Sequence, residues 1–213
     1  MKSPAFRVLD RLGMAAVDTD ENGMRRLYRE WCIKVPFDNI RKLIAHLEGG
    51  AEPLPGTDAD DFLESWLEHG TGGTCWPASN GLYEVARAAG FEGFRATASM
   101  WDRGVPTHGT VIVRVDGKDW VIDSSILTMN PFPLQKDSVY VHPGPMHPVE
   151  VEWDEGSFVF WFEAANFATQ FPWRLLKRHV EHGVYAERYE VSRTTGPFKT
   201  SDCSSAGISL TAS

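Results

Sequence analysis

Three residues of this 213-residue sequence have the types and settings that nucleophilic catalysis requires: Cys75, His108 and Asp123. Cys75 follows Gly72-Gly73-Thr74 and precedes Trp76-Pro77. Proline suits the first turn of a helix, where its missing N–H is not needed. Leu82, Val85, Ala86 and Ala89 then recur at helical spacing and stop at Gly90, a residue suited to end a helix in the left-handed region. Cys75 is therefore expected at or just before a helix N-terminus, where the helix dipole favours a thiolate. The preceding glycines allow close backbone packing and leave N–H groups for an oxyanion. On this segment alone, a small buried cysteine beside a tight turn accounts for the pattern equally well.

The segment around His108 and Asp123 adds the base. Asp116-Gly117 is a two-residue hairpin signal, which pairs Val115 with Lys118 and makes paired residue numbers sum to 233. Asp123 then lies opposite Thr110, and His108 opposite Ser125, so His108 and Asp123 are diagonal neighbours on one face. The same register gathers Val111, Val113, Trp120 and Ile122 on the other face, an apolar set that supports it independently. An aspartate beside a histidine fixes its tautomer and stabilises the imidazolium, leaving the second ring nitrogen for a thiol. An ordinary satisfied His–Asp pair in a hairpin is the alternative.

The elements that must position these residues change character along the chain. Phe6, Leu9 and Leu12 form a helical pattern ending at Gly13. Asp20 is a suitable N-cap for a helix with Met24, Leu27, Tyr28 and Trp31 on its apolar face, interrupted at Pro36. Residues 49–56 read as a loop, and the acidic run 58–61 opens a helix bearing Phe62, Leu63, Trp66 and Leu67, where its charge favours the N-terminus. From residue 94 the period becomes two, with strands expected over 94–100, 110–115, 120–126 and 157–162, and a helix near 173–182. The Ser/Thr-rich end, 192–213, reads as edge strand or tail. The fold class is thus α+β: a helical bundle over residues 1–92 that carries the cysteine, then an antiparallel β region over 93–213.

Composition excludes several functions. With 42% apolar and 12% aromatic residues the chain can bury a core and line a cleft. A net charge of -8 with no Lys/Arg cluster argues against a nucleic-acid partner. Residues 1–13 lack the apolar run of a secretory signal, and no stretch approaches the ~20 apolar residues of a membrane span. Three cysteines, Cys32, Cys75 and Cys203, fit neither a disulfide framework nor a zinc site, and suit the cytoplasm. No metal site is expected: His142 and His147 sit in a proline-rich loop, and His179 and His182 flank Glu181 without a third ligand. Cys32 reads as a core residue, and Cys203 has no base partner in view.

Taken together, the PF-D-N core within residues 28–40, the GG-T-C segment, and Thr107-His108 followed by Val-Ile-Asp123 resemble the arylamine N-acetyltransferases, over roughly residues 6–130. The resemblance implies a helical bundle joined to a β-barrel, with a cysteine-protease-like triad of Cys75, His108 and Asp123 at the junction. It implies acetyl-CoA, or another acyl thioester, as co-substrate with no bound cofactor, and an arylamine- or hydroxylamine-type acceptor. The chain departs from the family pattern at Thr71, where Arg is usual, and at Pro77 and Ser79, where an acidic residue and Asn are usual. Ser124-Ser125-Ile126 stands where Val-Gly-Phe-Gly is expected. Gly196-Pro197-Phe198 resembles the start of the family's third, lid-like region, which is therefore expected to be shortened. Phe37, Trp76, Trp101 and Thr107 are the candidates for lining the substrate cleft. The alternatives keep the triad: an amide synthase or tailoring acyltransferase fed by an acyl carrier protein, or a Cys-His-Asp hydrolase. A non-catalytic module with the same fold is a further rival.

Overall fold

The Asp116-Gly117 turn sets the register of the sheet around it. In the computed structural model, which describes residues 2–50, 52–137, 139–142, 149–162 and 170–196, both turn residues have positive φ, 50° and 72°. This is the backbone twist that two-residue hairpins require. The strands they join, β2 (His108–Val115) and β3 (Lys118–Ile122), pair antiparallel from Val115↔Lys118 to Val111↔Ile122. The pairing follows the expected register.

Around this hairpin runs an eight-stranded antiparallel sheet. It is completed by β1 (Glu92–Met100), β4 (Phe132–Pro133), β5 (Tyr140–His142), β6 (Val149–Asp154), β7 (Ser157–Phe162) and β8 (Phe171–Lys177), in the order β4-β3-β2-β1-β8-β7-β6-β5. The edge strands β4 and β5 approach each other through Phe132 and Tyr140, whose rings lie 6.4 Å apart, so the sheet is a nearly closed barrel. Alternation along each strand separates two cores. Ile112, Val121, Phe160 and Trp173 point inward and fill the barrel. Val111, Val113, Trp120 and Ile122 point outward and are buried against the helices.

Among the described residues, five helices precede the sheet: α1 (Pro4–Leu12), α2 (Glu21–Lys34), α3 (Ile40–Leu47), α4 (Ala59–His69) and α5 (Cys75–Ala88). Asp20 and Asp58 cap α2 and α4, their carboxylates accepting from the backbone N–H of Gly23 and Asp60. The expected face of α2, Met24, Leu27, Tyr28 and Trp31, is buried. On α1 the buried face is Ala5, Val8, Leu9 and Leu12, and Phe6 is exposed instead.

Two expected elements differ in the structure. Residues 171–177 form a strand, not a helix, because β8 is the closing partner of both β1 and β7 and sends Trp173 and Leu175 into the barrel, where Trp173 stacks on Phe160 at 4.0 Å. The helix of this region, α6 (His182–Val191), comes later. The strand expected over 120–126 stops at Ile122, because the Asp123 side chain folds the next residues into a turn described below. The Ser/Thr-rich segment from residue 197 onward, with Cys203, lies outside the described residues, as do His147 and the start of the expected third region after Gly196.

Candidate active site

The loop before Cys75 is built by Asp38 and two glycines. One Asp38 carboxylate oxygen accepts from the Gly72 N–H at 2.7 Å, and the other from the Ile40 N–H at 3.1 Å. Asp38 N–H donates to the Gly73 carbonyl, and Phe37 bridges Gly73 in parallel. Glycine is needed at 72 because a Cβ there would collide with the Pro36 carbonyl. At 73 a Cβ would lie 2.9 Å from both Phe62 and Pro77. The loop delivers the chain to α5, whose first residue is Cys75. Pro77 stands in the first turn, two residues later than expected, and still removes no helical bond, since Ala78 N–H to Thr74 O is the first. The backbone N–H groups of Cys75 and Trp76 therefore have no partner within the helix and carry the positive end of its dipole.

His108, the first residue of β2, and Asp123, just past β3, meet at 2.7 Å between His108 Nε2 and Asp123 Oδ2, with side chains only 5% and 0% exposed. This leaves His108 Nδ1 as the ring nitrogen available to the thiol. Cys75 is near enough to His108 to add to the upward pull on its pKa. Burial alone would push the His108 pKa down, but the Asp123 carboxylate and Cys75 more than offset it, and the net direction is upward. Burial likewise disfavours the charged Asp123, yet the His108 charge and the donors of Ser125 hold its carboxyl below the usual range. The surroundings of His108 thus favour a proton on its ring beside the Cys75 sulfur. The ring of Trp173, 5.6 Å from His108, closes the barrel beneath it.

The structure brings together all three residues read from the sequence as chemical. The two described cysteines differ sharply. Cys32 is buried on α2, where desolvation pushes its pKa up to about 12, whereas Cys75 is half-buried at a helix start beside a histidine.

The cleft candidates fall in different places. Phe37 lies on the loop beside Gly73. Trp76 is buried against Tyr185 of α6, ring centroids 4.9 Å apart. Trp101 is exposed in the β1–β2 connection at the His108 end of the barrel, with a φ of 61° and its ring 5.0 Å from Phe171. Thr107 Oγ1 accepts from the Met100 N–H and so braces that same connection.

Sequence reasoning missed residues that surround Cys75, His108 and Asp123. Tyr28, read only as core, donates its hydroxyl to the Asp123 carbonyl at 2.8 Å. Asp38 was visible only as part of the PF-D-N motif, and Ser79, Ser124 and Ser125 only as departures from the family pattern. Lys42 on α3 is buried and donates to the Ser192 carbonyl and hydroxyl, at 2.7 and 3.0 Å, behind the Cys75 loop. Among the described residues no group of His, Cys, Asp and Glu could hold a metal ion, and no helix is long and apolar enough to cross a membrane.

No protein-family model and no curated protein matches the sequence. Solved structures do. The arylamine N-acetyltransferase from M. tuberculosis is 18% identical with a TM-score of 0.72, the alignment covering 91% of this chain and 74% of that one. The enzyme from Salmonella typhimurium is 17% identical with a TM-score of 0.70, covering 91% and 70%. The Mycobacterium marinum enzyme in complex with CoA is 17% identical with a TM-score of 0.72, covering 89% and 71%. The likeness read in the PF-D-N, GG-T-C and Thr-His segments is thus matched in three dimensions, and the chain has the fold of the arylamine N-acetyltransferases.

Proposed function

We propose that this protein is an acyltransferase of the arylamine N-acetyltransferase type. It moves an acetyl or related acyl group from a thioester such as acetyl-CoA, through an acyl-Cys75 intermediate, to an arylamine- or hydroxylamine-type acceptor. The observation that carries the reading is the seating of Cys75, at the start of α5, against the buried His108–Asp123 pair, within a fold shared with enzymes one of which is solved with CoA.

The chemistry follows from the geometry. His108 takes the thiol proton, and the Cys75 thiolate attacks the thioester carbonyl. The oxyanion that forms faces the N–H groups at the start of α5, those of Cys75 and Trp76. Collapse breaks the C–S bond to the donor, whose sulfur leaves with the proton from His108. An amine then attacks acyl-Cys75 and gives its proton to His108, and the Cys75 sulfur is released as the amide forms. Asp123 keeps the imidazole in one tautomer and stabilises its charge in both halves.

The test is initial-rate kinetics of thiol release from acetyl-CoA at varied arylamine concentration. Parallel double-reciprocal lines and complete loss of turnover in Cys75→Ala are expected. Intersecting lines would indicate direct transfer without an acyl-enzyme. Thiol release indifferent to the amine would make the protein a hydrolase.

A further inference from the structure

The sites at which the sequence departs from the family pattern beyond the nucleophile are distant in the chain yet meet in space. Ser79, one turn after Cys75 on α5, and Ser124, next to Asp123, are 0% and 1% exposed. Their hydroxyl oxygens lie 2.7 Å apart. Ser79 Oγ donates to the carbonyl of Gly109, the neighbour of His108, at 2.9 Å, so its proton is committed and Ser124 must be the donor between the two. Ser125 completes the set. Its hydroxyl and its N–H both donate to Asp123 Oδ1, at 2.7 and 2.9 Å, and Ile126 N–H adds a third donor at 3.1 Å.

We propose that Ser79, Ser124 and Ser125 form a brace that positions the triad, tying the helix of Cys75 to the strand of His108 and to the turn of Asp123. The inference rests on the triad reading above.

The brace is needed because the β2–β3 ladder does not reach the site, although His108 is itself paired with Ala98 of β1. The last β2–β3 pair is Val111↔Ile122, so His108 and Asp123 both lie beyond the ladder that would otherwise fix their distance. Asp123 Oδ2 is occupied by His108, and Oδ1 is saturated by the three donors, which leaves the carboxylate one orientation. Ser79 connects α5 to both other elements through one buried hydroxyl. Its removal takes a donor from the Gly109 carbonyl and an acceptor from Ser124. The short serine at position 79 is met by a hydroxyl from the facing turn, so the departures at 79 and 124 are in direct contact.

These are positioning residues, and alkylation of Cys75 reads their effect without requiring any acyl donor. Ser79→Ala, Ser125→Ala and Ser125→Thr are compared with wild type by iodoacetamide labelling over a range of pH and peptide mapping. Cys32 labelling monitors general opening of the fold. Losing two buried hydrogen bonds at once costs enough for Ser79→Ala to slow Cys75 labelling at neutral pH by about tenfold or more. Ser125→Ala slows it less, because two backbone donors remain. Both displace the pH profile, and Ser125→Thr, which keeps the hydroxyl at a half-buried position, restores it. Wild-type rates and profiles in both alanine variants would overturn the brace. If Ser79→Ala fails to fold, the Ser125 pair decides alone. His108→Ala in the same assay separates the two claims. Slowing by His108→Ala without any effect of the serines sinks only the brace, whereas no effect of His108→Ala sinks the triad.

Discussion

The two flanks of Cys75 are built differently. On the barrel flank, His108 and Asp123 are buried and both carboxylate oxygens are fully partnered. On the other flank, α6 closes over α5 with Tyr185 and Tyr189. It is held by Lys42 to Ser192, by Tyr189 to the Pro55 carbonyl at 2.8 Å, and by the Leu54 N–H to Glu190. Buried groups without a hydrogen bond occur on both flanks, Thr110 Oγ1 and Trp173 Nε1 on the barrel side and Tyr185 Oη on this one. Thr74 Oγ1 is buried without a hydrogen bond, beside a cavity of only ≈10 Å³ lined by Lys42, Gly73 and Tyr189. The difference separates two jobs. A site that moves charge needs its dipoles fixed beforehand, whereas a seal over the site needs only to exclude water. Changes on the barrel flank should therefore cost rate, and changes on the α6 flank should cost stability.

The sharpest way to break this comparison is Asp123→Asn. The substitution is nearly isosteric, so the fold should survive, while turnover falls by about 10³–10⁴-fold through loss of tautomer control. Near-normal turnover would make Asp123 a structural partner of the hairpin. Next in size is Gly109→Ala, at the seam of the two flanks. Its Cβ would collide with the Tyr185 hydroxyl and lie 2.7 Å from the Trp76 ring. Overpacking of this kind costs about 1–3 kcal/mol. Thermal unfolding should show a clear loss of stability, and an unshifted melting temperature would mean that α6 yields freely.

The pH dependence of stability distinguishes the flanks more finely. The His108 pKa is raised, so its contribution is fully present below the ordinary histidine value and is lost as pH rises through the folded value. The Asp123 pKa is lowered, so its contribution is present above the ordinary carboxylate value and is lost as pH falls through the folded value. The pair therefore stabilises most between about pH 4 and 6.5, and Asp123→Asn should remove that plateau from the difference in unfolding free energy. A variant with the same pH profile as wild type would contradict the charged pairing.

The smallest effect is expected at Lys42. Desolvation lowers its pKa from 10.5 to about 8, with Glu190 among the groups opposing the shift. The folded state thus disfavours charged Lys42, a penalty that fades as pH rises from about 8 to 10.5. Wild-type stability relative to Lys42→Met should rise across that window, with turnover within a small factor of wild type. A large loss of turnover would move Lys42 from the seal into the chemistry.

What was legible in the sequence was local. Asp116-Gly117 gave the hairpin and hence the meeting of His108 with Asp123, and Gly72-Gly73 with Pro77 placed Cys75 at a helix start. Non-local decisions were not legible. Residues 171–177 mix apolar and basic side chains in a way that suits a helix or a strand, and only pairing with β1 and β7 decides between them. Residues 124–126 look extended until the Asp123 carboxylate gathers their N–H groups into a turn. The brace through Ser79 joins residues 45 apart in the chain, and nothing in the local sequence announces it.

The central claim, that Cys75 is the nucleophile poised by His108, is tested most directly by mixing the protein with acetyl-CoA, quenching, and mapping acetylated peptides. The account predicts a single acetyl group on the peptide containing Cys75. It should be absent from the Cys32 peptide, formed far more slowly in His108→Ala, and discharged when an arylamine is added before the quench. Acetylation of Cys32 or of lysines at the same rate, or an acetyl-Cys75 that forms equally fast without His108, would contradict it.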